Sequence, residues 1–312
     1  MRAEDFFSLW VEYQRNFVQK STYEALTIYF SKHITPYFAP YDLQQITPML
    51  IQQYITYKLQ DGRKDGKKGG LSLVSVRKHY SLLKQALDQA VVYGYISSNP
   101  CNPVRLPRKR GNVTKRTIML SANEAQNLIN AFDGHPLQTT VVLALFYGLR
   151  RSEVLGLKWS AIDFERNTLT INHTIVKNLT IEAKDSTKSK TSERTFTMPP
   201  EIRDFLRKRQ ENANSEYINT WTDGRTFRPD YVTRGFQRVL KAHGLPKMRF
   251  HDLRHSTASI LFDRGWQLED VKNWLGHSDI ETTSNIYLHY AKTRKIMLAD
   301  SLGGMYDLPK RA

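Results

Sequence analysis

The sequence has one cysteine, Cys101, among 312 residues, so the chain cannot form an internal disulfide bond. It also has no apolar run long enough to cross a bilayer. The first residues lack the apolar segment of a secretory signal, and Arg2 is soon followed by Glu4 and Asp5. These absences argue against a disulfide-stabilised secreted domain and a membrane-spanning protein, and they predict a protein of a reducing cytoplasm.

Acidic residues are few relative to basic ones. Asp and Glu number 30 whereas Lys and Arg number 46, which gives a formal net charge of +16. Solubility needs only a small surplus of charge, so a surplus this large favours a polyanionic partner. Hydrophobic residues make up 40% of the chain, enough to fill real cores. Between a nucleic acid and an anionic membrane surface, the sequence favours a nucleic acid.

Apolar residues recur at helical spacing through the first hundred residues. The pattern predicts four helices, over residues 6–18, 22–38, 48–59 and 73–93. Thr47 followed by Pro48 is typical of a helix start. The charged, glycine-rich stretch 61–70 predicts a loop that either contacts phosphates or is simply solvated. We therefore predict a helical first domain over residues 1–104.

Prolines and basic residues crowd the next segment. Pro100, Pro103 and Pro107 interrupt regular structure. A bare run of charge is usually a solvated tether, but between two basic domains it is better placed along a nucleic-acid backbone. We predict a basic linker over residues 105–116 and a second domain over 117–312. The candidate contacts are Arg105, Arg108, Lys109, Arg110, Lys115 and Arg116.

The second domain is predicted to combine helices with a small antiparallel sheet. Ser121 and Glu124 form a capping-box pattern before a helix over 122–132, and an apolar run predicts a buried helix over 136–147. Alternating residues predict strands over 168–176 and 195–198, joined by a long polar hairpin. The helices predicted beyond them are 201–212, 231–243, 252–264, 268–275 and 279–290, followed by a tail over 301–312. The fold class is therefore mainly α with a small antiparallel β-sheet.

A first candidate for chemistry lies where the predicted buried helix ends. Gly148 is a typical helix terminator, and Arg150 and Arg151 fall in the turn after it. Ser152 is the predicted cap of a short helix over 153–157. A guanidinium held in such a turn can bind two phosphate oxygens at once. Spacing alone does not choose between the two arginines, and an ordinary surface pair is the alternative.

A second candidate is the pair His251 and Arg254, which share a face at a predicted helix start. A helix N-terminus offers N–H groups and positive potential, which suit an anion. A capping histidine beside a salt-bridged arginine is the plain structural alternative. His251 and His255 also have a spacing known from zinc sites, but Arg254 between them and the lack of an obvious third ligand disfavour a metal.

Three further segments carry weaker signals. His277 lies in a tight corner after Gly276, where a purely structural histidine would look the same. Tyr287 lies on the last predicted helix and competes there with Tyr290 and with ordinary packing. Two lysines, Lys188 and Lys190, lie on the predicted hairpin, whose tip could enter a groove or be solvated.

Taken together and in order, these segments resemble the tyrosine recombinase (phage-type integrase) family. Residues 148–159, 251–259, 275–283 and 286–287 are similar to the family's sequence boxes. The resemblance covers the second domain well. The first domain resembles the family's helical core-binding domain in length and character, without a sharp motif. In character the chain is similar to integrases of phages and conjugative transposons.

The resemblance implies a role for each matching residue. Arg150, rather than Arg151, and Arg254 would bind the scissile phosphate. His251 would take part in proton transfer, and His277 would bind a non-bridging oxygen.

For the bond-breaking step, the resemblance implies that Tyr287 is the nucleophile. Lys190, with Lys188 as the fallback, would be the general acid for the departing 5′ oxygen. Glu153 would support the site by orienting a basic side chain.

The implied function is site-specific DNA recombination through a 3′-phosphotyrosine intermediate, without metal or ATP, for integration and excision of a mobile element. The implied partners are double-stranded DNA, a homo-tetramer on paired DNA sites with a Holliday-junction intermediate, and accessory directionality or bending proteins, with no membrane. The implied location is the bacterial cytoplasm, in association with the nucleoid. A type IB topoisomerase and a catalytically silent DNA-binding protein are the alternatives.

Integrases of this kind often carry an additional N-terminal arm-binding domain. This sequence begins directly in the predicted core-binding helices. We therefore expect either that the domain is naturally absent or that the sequence is a truncated form.

The charge balance predicts that binding to duplex DNA weakens steeply as salt is added. If the protein contacts Z phosphates, the logarithm of the association constant should fall against log salt with a slope of about −0.9Z, because bound counterions are released. Fluorescence anisotropy of a labelled duplex in about 50 to 200 mM salt measures this slope. A nearly flat dependence would contradict a duplex partner.

Overall fold

The chain divides into a first unit, Met1–Val113, and a second unit, Thr114–Ala312, and the described residues of each unit form a hydrophobic core of their own. The computed structural model describes residues 1–107, 118–177, 181–184 and 193–276, with the backbone alone for 177 and 181–184. The predicted helix 279–290 and the predicted tail 301–312 lie outside the described residues. Each unit is described by itself below.

The first unit is helical, as its periodicity predicts. Its elements are α1 (Ala3–Gln14), α2 (Lys20–Tyr29), a π-helical turn (Phe30–Ile34), α3 (Thr35–Phe38), a 3₁₀ turn (Leu43–Gln45), α4 (Pro48–Asp61) and α5 (Leu73–Val92). The helix predicted over 22–38 is present, but a π-helical turn separates α2 from α3 without a gap. Pro36 has no N–H to continue the regular hydrogen-bond ladder, which accounts for the change of helix type before it.

Local capping fixes the start of α4. The hydroxyl of Thr47 accepts a hydrogen bond from the backbone N–H of Leu50 at 3.2 Å, and Pro48 occupies the first helical position. On α5, Val76, Leu83 and Leu87 are fully buried, so apolar residues at the predicted helical spacing face the core. Both predictions are confirmed.

A polar cluster lies within the core of the first unit. The Tyr54 hydroxyl and Nδ1 of His79 are 3.0 Å apart, and the ring of His33 lies 4.8 Å from that of His79. The buried Lys58 ammonium lies 5.3 Å and 4.9 Å from the ring centres of Tyr54 and Tyr57. Burial, followed by the neighbouring His33 and Lys58, lowers the pKa of His79 to about 4. Burial likewise lowers the pKa of Lys58 to about 8.

The second unit combines helices with short strands. Its elements are α6 (Ala122–Ala131), α7 (Gln138–Tyr147), α8 (Arg151–Gly156), a 3₁₀ turn (Trp159–Ala161), β1 (Ile162–Asp163), β2 (Thr168–Ile171), β3 (Thr174–Lys177), β4 (Ile181–Lys184), β5 (Arg194–Thr197), α9 (Pro200–Gln210), α10 (Pro229–Ala242), α11 (Asp252–Asp263) and α12 (Leu268–Leu275). The capping box of Ser121 and Glu124 is present at the start of α6. Within the described residues, no helix is both long and apolar enough to cross a membrane.

The strands form two antiparallel groups rather than one sheet. β2 pairs with β1 and β5, so Leu169 lies opposite Phe196, whereas β3 pairs with β4. The single strand predicted over 168–176 is therefore wrong. Its alternation fails after Ile171, because His173, Thr174 and Ile175 are all buried against α8. Strands β1 and β4 were absent from the sequence prediction.

The helix α7 is the centre of the second unit's core. Every residue from Thr139 to Leu145 is buried, which confirms the prediction of a helix apolar nearly all round. α11 packs against it, and the hydroxyl of Thr257 donates to the carbonyl of Leu145 at 2.5 Å. This contact fixes the N-terminal half of α11 relative to the end of α7, where the candidate arginines lie.

The neutral state of His79 predicts that the first unit loses stability in mild acid. The unfolded histidine takes up a proton near pH 6.5, whereas the folded one, with a pKa of about 4, does not. Neutral His79 therefore contributes to the free energy of unfolding above pH 6.5. This contribution is lost as the pH falls toward 4, and the free energy of unfolding decreases by up to about 3 kcal/mol. Hydrogen exchange of the α5 amides, corrected for intrinsic rates, measures this free energy of opening.

The matched variants are His79→Gln, which keeps a polar side chain but does not titrate, and His243→Gln at the exposed end of α10. His79→Gln should flatten the dependence between pH 6.5 and 4, and His243→Gln should not. An unchanged pH profile in His79→Gln would refute this assignment.

Candidate active site

The end of α7 and the start of α8 place the first candidate arginine. Gly148 ends α7 with φ at 63°, a left-handed conformation that glycine adopts without strain. A Cβ there would overlap the side chain of Leu275. The next helix begins at Arg151 with Arg150 as its N-cap, so the predicted start at Glu153, capped by Ser152, is wrong. The physical reason is that the carboxylate of Glu153 reaches back to the Arg150 N–H at 2.8 Å.

Glu153 is a buried carboxylate, 2% exposed, that is shared by two arginines. Its Oε1 accepts from Nη1 of Arg150 at 2.6 Å, and its Oε2 accepts from Nη2 of Arg194 at 3.0 Å. Burial would raise the pKa of this carboxyl group. The hydrogen bond and charge of Arg194, followed by those of Arg150, outweigh burial and hold the pKa below its usual value. Glu153 is therefore ionised at neutral pH.

Among the candidate cations that the structure describes, Arg254 is the most deeply buried, at 1% exposed. Its Nη1 donates to the carbonyl of Gly148 at 2.7 Å and its Nη2 to the carbonyl of Leu275 at 2.6 Å. Nη2 of Arg150 donates to the carbonyl of Gly276 at 3.3 Å. The two guanidinium groups thus bond to consecutive residues at the end of α12. Burial, followed by the charge of Arg150, lowers the pKa of Arg254 to about 9, which leaves it charged at neutral pH.

His251 occupies the N-cap position of α11, one turn before Arg254. Its ring packs edge-on against that of His255, with centres 5.1 Å apart. Although the residue is exposed, partial desolvation, then His255, then three nearby arginines lower its pKa to about 4. The imidazole is therefore neutral at pH 7, the form that can accept a proton.

The metal-site alternative for His251 and His255 has limited support. Among the side chains that the structure describes, no group of three His, Cys, Asp or Glu residues is arranged to hold a metal ion. The field of the neighbouring arginines at His251 is also unfavourable to a further cation.

A basic groove of about 1000 Å³ opens beside His251. Arg151, Lys247 and Arg249 line it. Arg151 donates to the carbonyl of Pro229 and the hydroxyl of Thr233, so it is directed toward α10. The structure thus separates the two arginines that spacing could not distinguish: Arg150 lies with Arg254, and Arg151 lies in the groove.

Arg194 was missed in the sequence analysis. It is the first residue of β5, and its side chain is 9% exposed. Its guanidinium lies 5.3 Å from the ring centre of Phe196 and bonds to both oxygens of Glu153. The available signal was an arginine at the start of a strand, directly after the lysine-bearing hairpin. Such a signal does not reveal burial.

The remaining candidates lie outside the described residues. They are Lys188, Lys190, His277, Tyr287 and Tyr290, together with Arg108, Lys109, Arg110, Lys115 and Arg116. Arg105 is described and is exposed in the first unit. Gly276, the left-handed residue that ends α12, directly precedes His277 in the sequence.

Comparison with protein-family models decides the family. The model described as Phage integrase family matches residues 119–294, more than half of the chain. The chain belongs to the phage integrase family of tyrosine recombinases. The model described as Phage integrase, N-terminal SAM-like domain matches residues 4–59, within the first unit. Members of this family cleave and rejoin DNA, and this tyrosine recombinase is an enzyme of site-specific recombination.

Individual relatives agree with this assignment. The chain is 30% identical over 290 residues to a "Tyrosine recombinase XerC-like" protein of Caldanaerobacter subterraneus subsp. tengcongensis. The matched region covers 84% of this chain and 72% of the relative. It is 27% identical over 291 residues to the ICEBs1 integrase of Bacillus subtilis (strain 168), covering 87% and 74% of the two chains.

Solved structures share the fold. The Tn1549 transposon integrase (residues 82–397) in complex with transposon right end DNA superposes with a TM-score of 0.78 at 18% identity, covering 96% of this chain and 100% of that one. A lambda integrase (residues 75–356) dimer bound to a core site gives a TM-score of 0.69 at 21% identity, covering 90% and 96%. The predicted mainly helical fold with a small antiparallel sheet is confirmed.

The expectation of a tyrosine recombinase is also confirmed. The comparisons do not favour a type IB topoisomerase or a catalytically silent DNA-binding protein.

The contact between Gly148 and Leu275 predicts that Gly148→Ala destabilises the second unit. Gly244 is the matched control, because it has nearly the same φ, 64° against 63°, but open space where a Cβ would lie. Both changes cost about 1–2 kcal/mol for the left-handed backbone. Gly148→Ala should cost a further 1–3 kcal/mol, roughly, for overlap with Leu275. Calorimetric unfolding of the two variants measures the difference, and equal losses would contradict the proposed packing.

Proposed function

We propose that this enzyme integrates and excises a mobile DNA element, cleaving each strand through a 3′-phosphotyrosine intermediate without a metal ion or ATP. The observation that carries the proposal is the convergence of Arg150 and Arg254 on the carbonyls of Gly276 and Leu275. These two residues directly precede His277. Two buried or half-buried guanidinium groups thus bond to one helix end, directly before the residue proposed as a third phosphate ligand.

The charge of the cluster fits a phosphodiester. Among the described residues, Arg150, Arg194 and Arg254 surround the single carboxylate of Glu153, which leaves a positive excess. A phosphodiester has one negative charge in the ground state and gains a second as a nucleophile adds to phosphorus. Fixed cations therefore stabilise the transition state more than the bound substrate.

In the proposed reaction, the Tyr287 oxygen attacks phosphorus and the bond to the 5′ oxygen breaks. Arg150, Arg254 and His277 bind the non-bridging oxygens, and His251 accepts the phenolic proton. An anion bound at the arginines opposes their field, so it raises the low pKa of His251 and makes it a better base.

The departing 5′ oxygen takes its proton from Lys190, with Lys188 as the alternative donor. The phosphotyrosine bond conserves the energy of the broken phosphodiester. Attack by a 5′ hydroxyl reverses the step and rejoins the strand without ATP.

The proposed substrate is double-stranded DNA held by a homo-tetramer on paired sites. Lambda integrase has been solved as a tetramer bound to a Holliday junction, and this chain matches it with a TM-score of 0.69 at 20% identity. The names ICEBs1 integrase and prophage phiRv2 integrase support a mobile-element role. Accessory directionality or bending proteins and a location at the bacterial nucleoid are part of the proposal.

The domain roles follow the same scheme. Residues 1–104 form the core-binding domain, residues 105–116 a basic linker along the DNA backbone, and residues 117–312 the catalytic domain. Phosphate contacts from the linker position the protein on the duplex without reading sequence. They come from Arg105, Arg108, Lys109, Arg110, Lys115 and Arg116.

A nicked suicide substrate tests the nucleophile. Such DNA loses its 5′ fragment after cleavage, so the covalent intermediate accumulates and is seen as a slower band on a denaturing gel. The unmodified protein should form the adduct in EDTA and without ATP, and Tyr287→Phe should form none, because it lacks the attacking oxygen. Since the target sequence is unidentified, the substrates are a library of candidate junctions.

Tyr290→Phe is the matched control, because it removes the same atom from the neighbouring candidate. It should form the adduct at the normal rate. An adduct that persists in Tyr287→Phe and disappears in Tyr290→Phe would transfer the nucleophilic role to Tyr290.

A further inference from the structure

Arg194 is held in place by three parts of the second unit. Its backbone pairs with Ile171 of β2, and its guanidinium lies over the ring of Phe196. A Cβ built on Gly276 would lie 3.0 Å from Cδ of Arg194, so the residue before His277 packs closely against this side chain. The guanidinium is thereby fixed in one orientation, toward Glu153.

Both oxygens of Glu153 are shared between the two arginines. Oε1 accepts from Nη1 of Arg150 at 2.6 Å and from Nη1 of Arg194 at 3.3 Å. Oε2 accepts from the backbone N–H of Arg150 at 2.8 Å and from Nη2 of Arg194 at 3.0 Å. Arg194 thus forms a two-pronged pair that sets the plane of the carboxylate. That plane in turn fixes both the backbone and the guanidinium of Arg150.

Arg194 also balances the negative charge of Glu153. A buried carboxylate with Arg150 as its main cation would hold that cation tightly and compete with a phosphate for its N–H groups. With Arg194 present, the negative charge of Glu153 is already balanced, so Arg150 is oriented without being neutralised. Arg150 is the more exposed of the two arginines, with 33% of its side chain accessible against 9% for Arg194, so it is the one that can meet a ligand.

We propose that Arg194 is a positioning residue for DNA cleavage, which acts through Glu153 to hold Arg150 in its phosphate-binding orientation. In this role it acts on the phosphate only through Glu153 and Arg150. The inference rests on the proposed function, in which Arg150 binds the scissile phosphate.

Single-turnover adduct formation on the suicide substrate tests this role. Arg194→Ala should slow covalent attack at saturating protein by about 10- to 100-fold, the range found for residues that orient the ligands of metal ions. The affinity for uncleaved DNA, measured by anisotropy, should change less than about threefold, because most of it comes from other phosphate contacts. Arg194→Lys keeps the charge but not the two-pronged geometry and should be intermediate.

Arg225→Ala is the matched control. Arg225 also pairs with a carboxylate, that of Asp223 at 2.6 Å, but its side chain is 81% exposed. It should cleave at the normal rate. Thermal unfolding of each variant separates a slow but folded enzyme from an unfolded one, and Arg194→Lys and Glu153→Gln allow the comparison if Arg194→Ala does not fold.

A double-mutant cycle with Glu153→Gln distinguishes positioning from simple loss of structure. If Arg194 acts through Glu153, the double variant Glu153→Gln/Arg194→Ala should cleave no more slowly than the slower single variant. Multiplied rate losses would refute the proposal and assign Arg194 a separate structural or direct role.

The pH profile gives an independent readout. Removing Arg194 removes the strongest influence that keeps Glu153 ionised. The rate of Arg194→Ala relative to the unmodified protein should therefore fall further as the pH is lowered from 8 to about 5, and Glu153→Gln should abolish that extra dependence. A profile parallel to that of the unmodified protein would contradict the inference.

The experiments distinguish failure of the proposed function from failure of the role of Arg194. If the unmodified protein forms no covalent adduct on any substrate, the proposed function fails. If it forms the adduct and Arg194→Ala does so equally fast, only the role of Arg194 fails.

Discussion

The buried carboxylate of Glu153 is the constraint on which the rest of the site depends. Bringing several guanidinium groups together in a protein interior is unfavourable, because like charges repel and each loses its hydration. A single anion between Arg150 and Arg194 offsets part of this repulsion, and the two cations in turn keep the carboxylate ionised. The positive excess that remains is available to a ligand. In the proposed function, a phosphate group would balance this excess.

The carbonyl groups at the ends of two helices also hold the arginines in place. α7 and α12 both stop at left-handed glycines, Gly148 and Gly276, and the last carbonyls of a helix have no partner within it. Arg254 donates hydrogen bonds to two of these carbonyls, those of Gly148 and Leu275. Arg150 donates one to the carbonyl of Gly276. The negative ends of two helix dipoles thus stabilise two positive side chains. The arginines are therefore placed by the carbonyls that become free where the two helices end.

The sequence predicted what depends on local chemistry. The helices of the first unit, the buried α7, the Ser121 capping box and α12 follow from periodicity and capping, and the structure has them. The prediction failed where tertiary contact decides. The burial of β3 against α8 ends the alternation after Ile171, and the reach of Glu153 to the Arg150 N–H moves the start of α8. Arg194 was missed for the same reason, since its partner lies 41 residues away and no local pattern marks the pair.

The positive charge of the site affects the pKa values of Arg254 and His251 together. The same cationic field contributes to the lowered pKa of Arg254, about 9, and to that of His251, about 4. An anion that enters the site opposes this field at both residues at once. In the proposed reaction, a bound phosphate would therefore hold Arg254 more firmly protonated and make His251 a stronger base. The cationic field lowers the pKa of both groups, and the packing of α11 against α7 holds the arginines that produce this field in place.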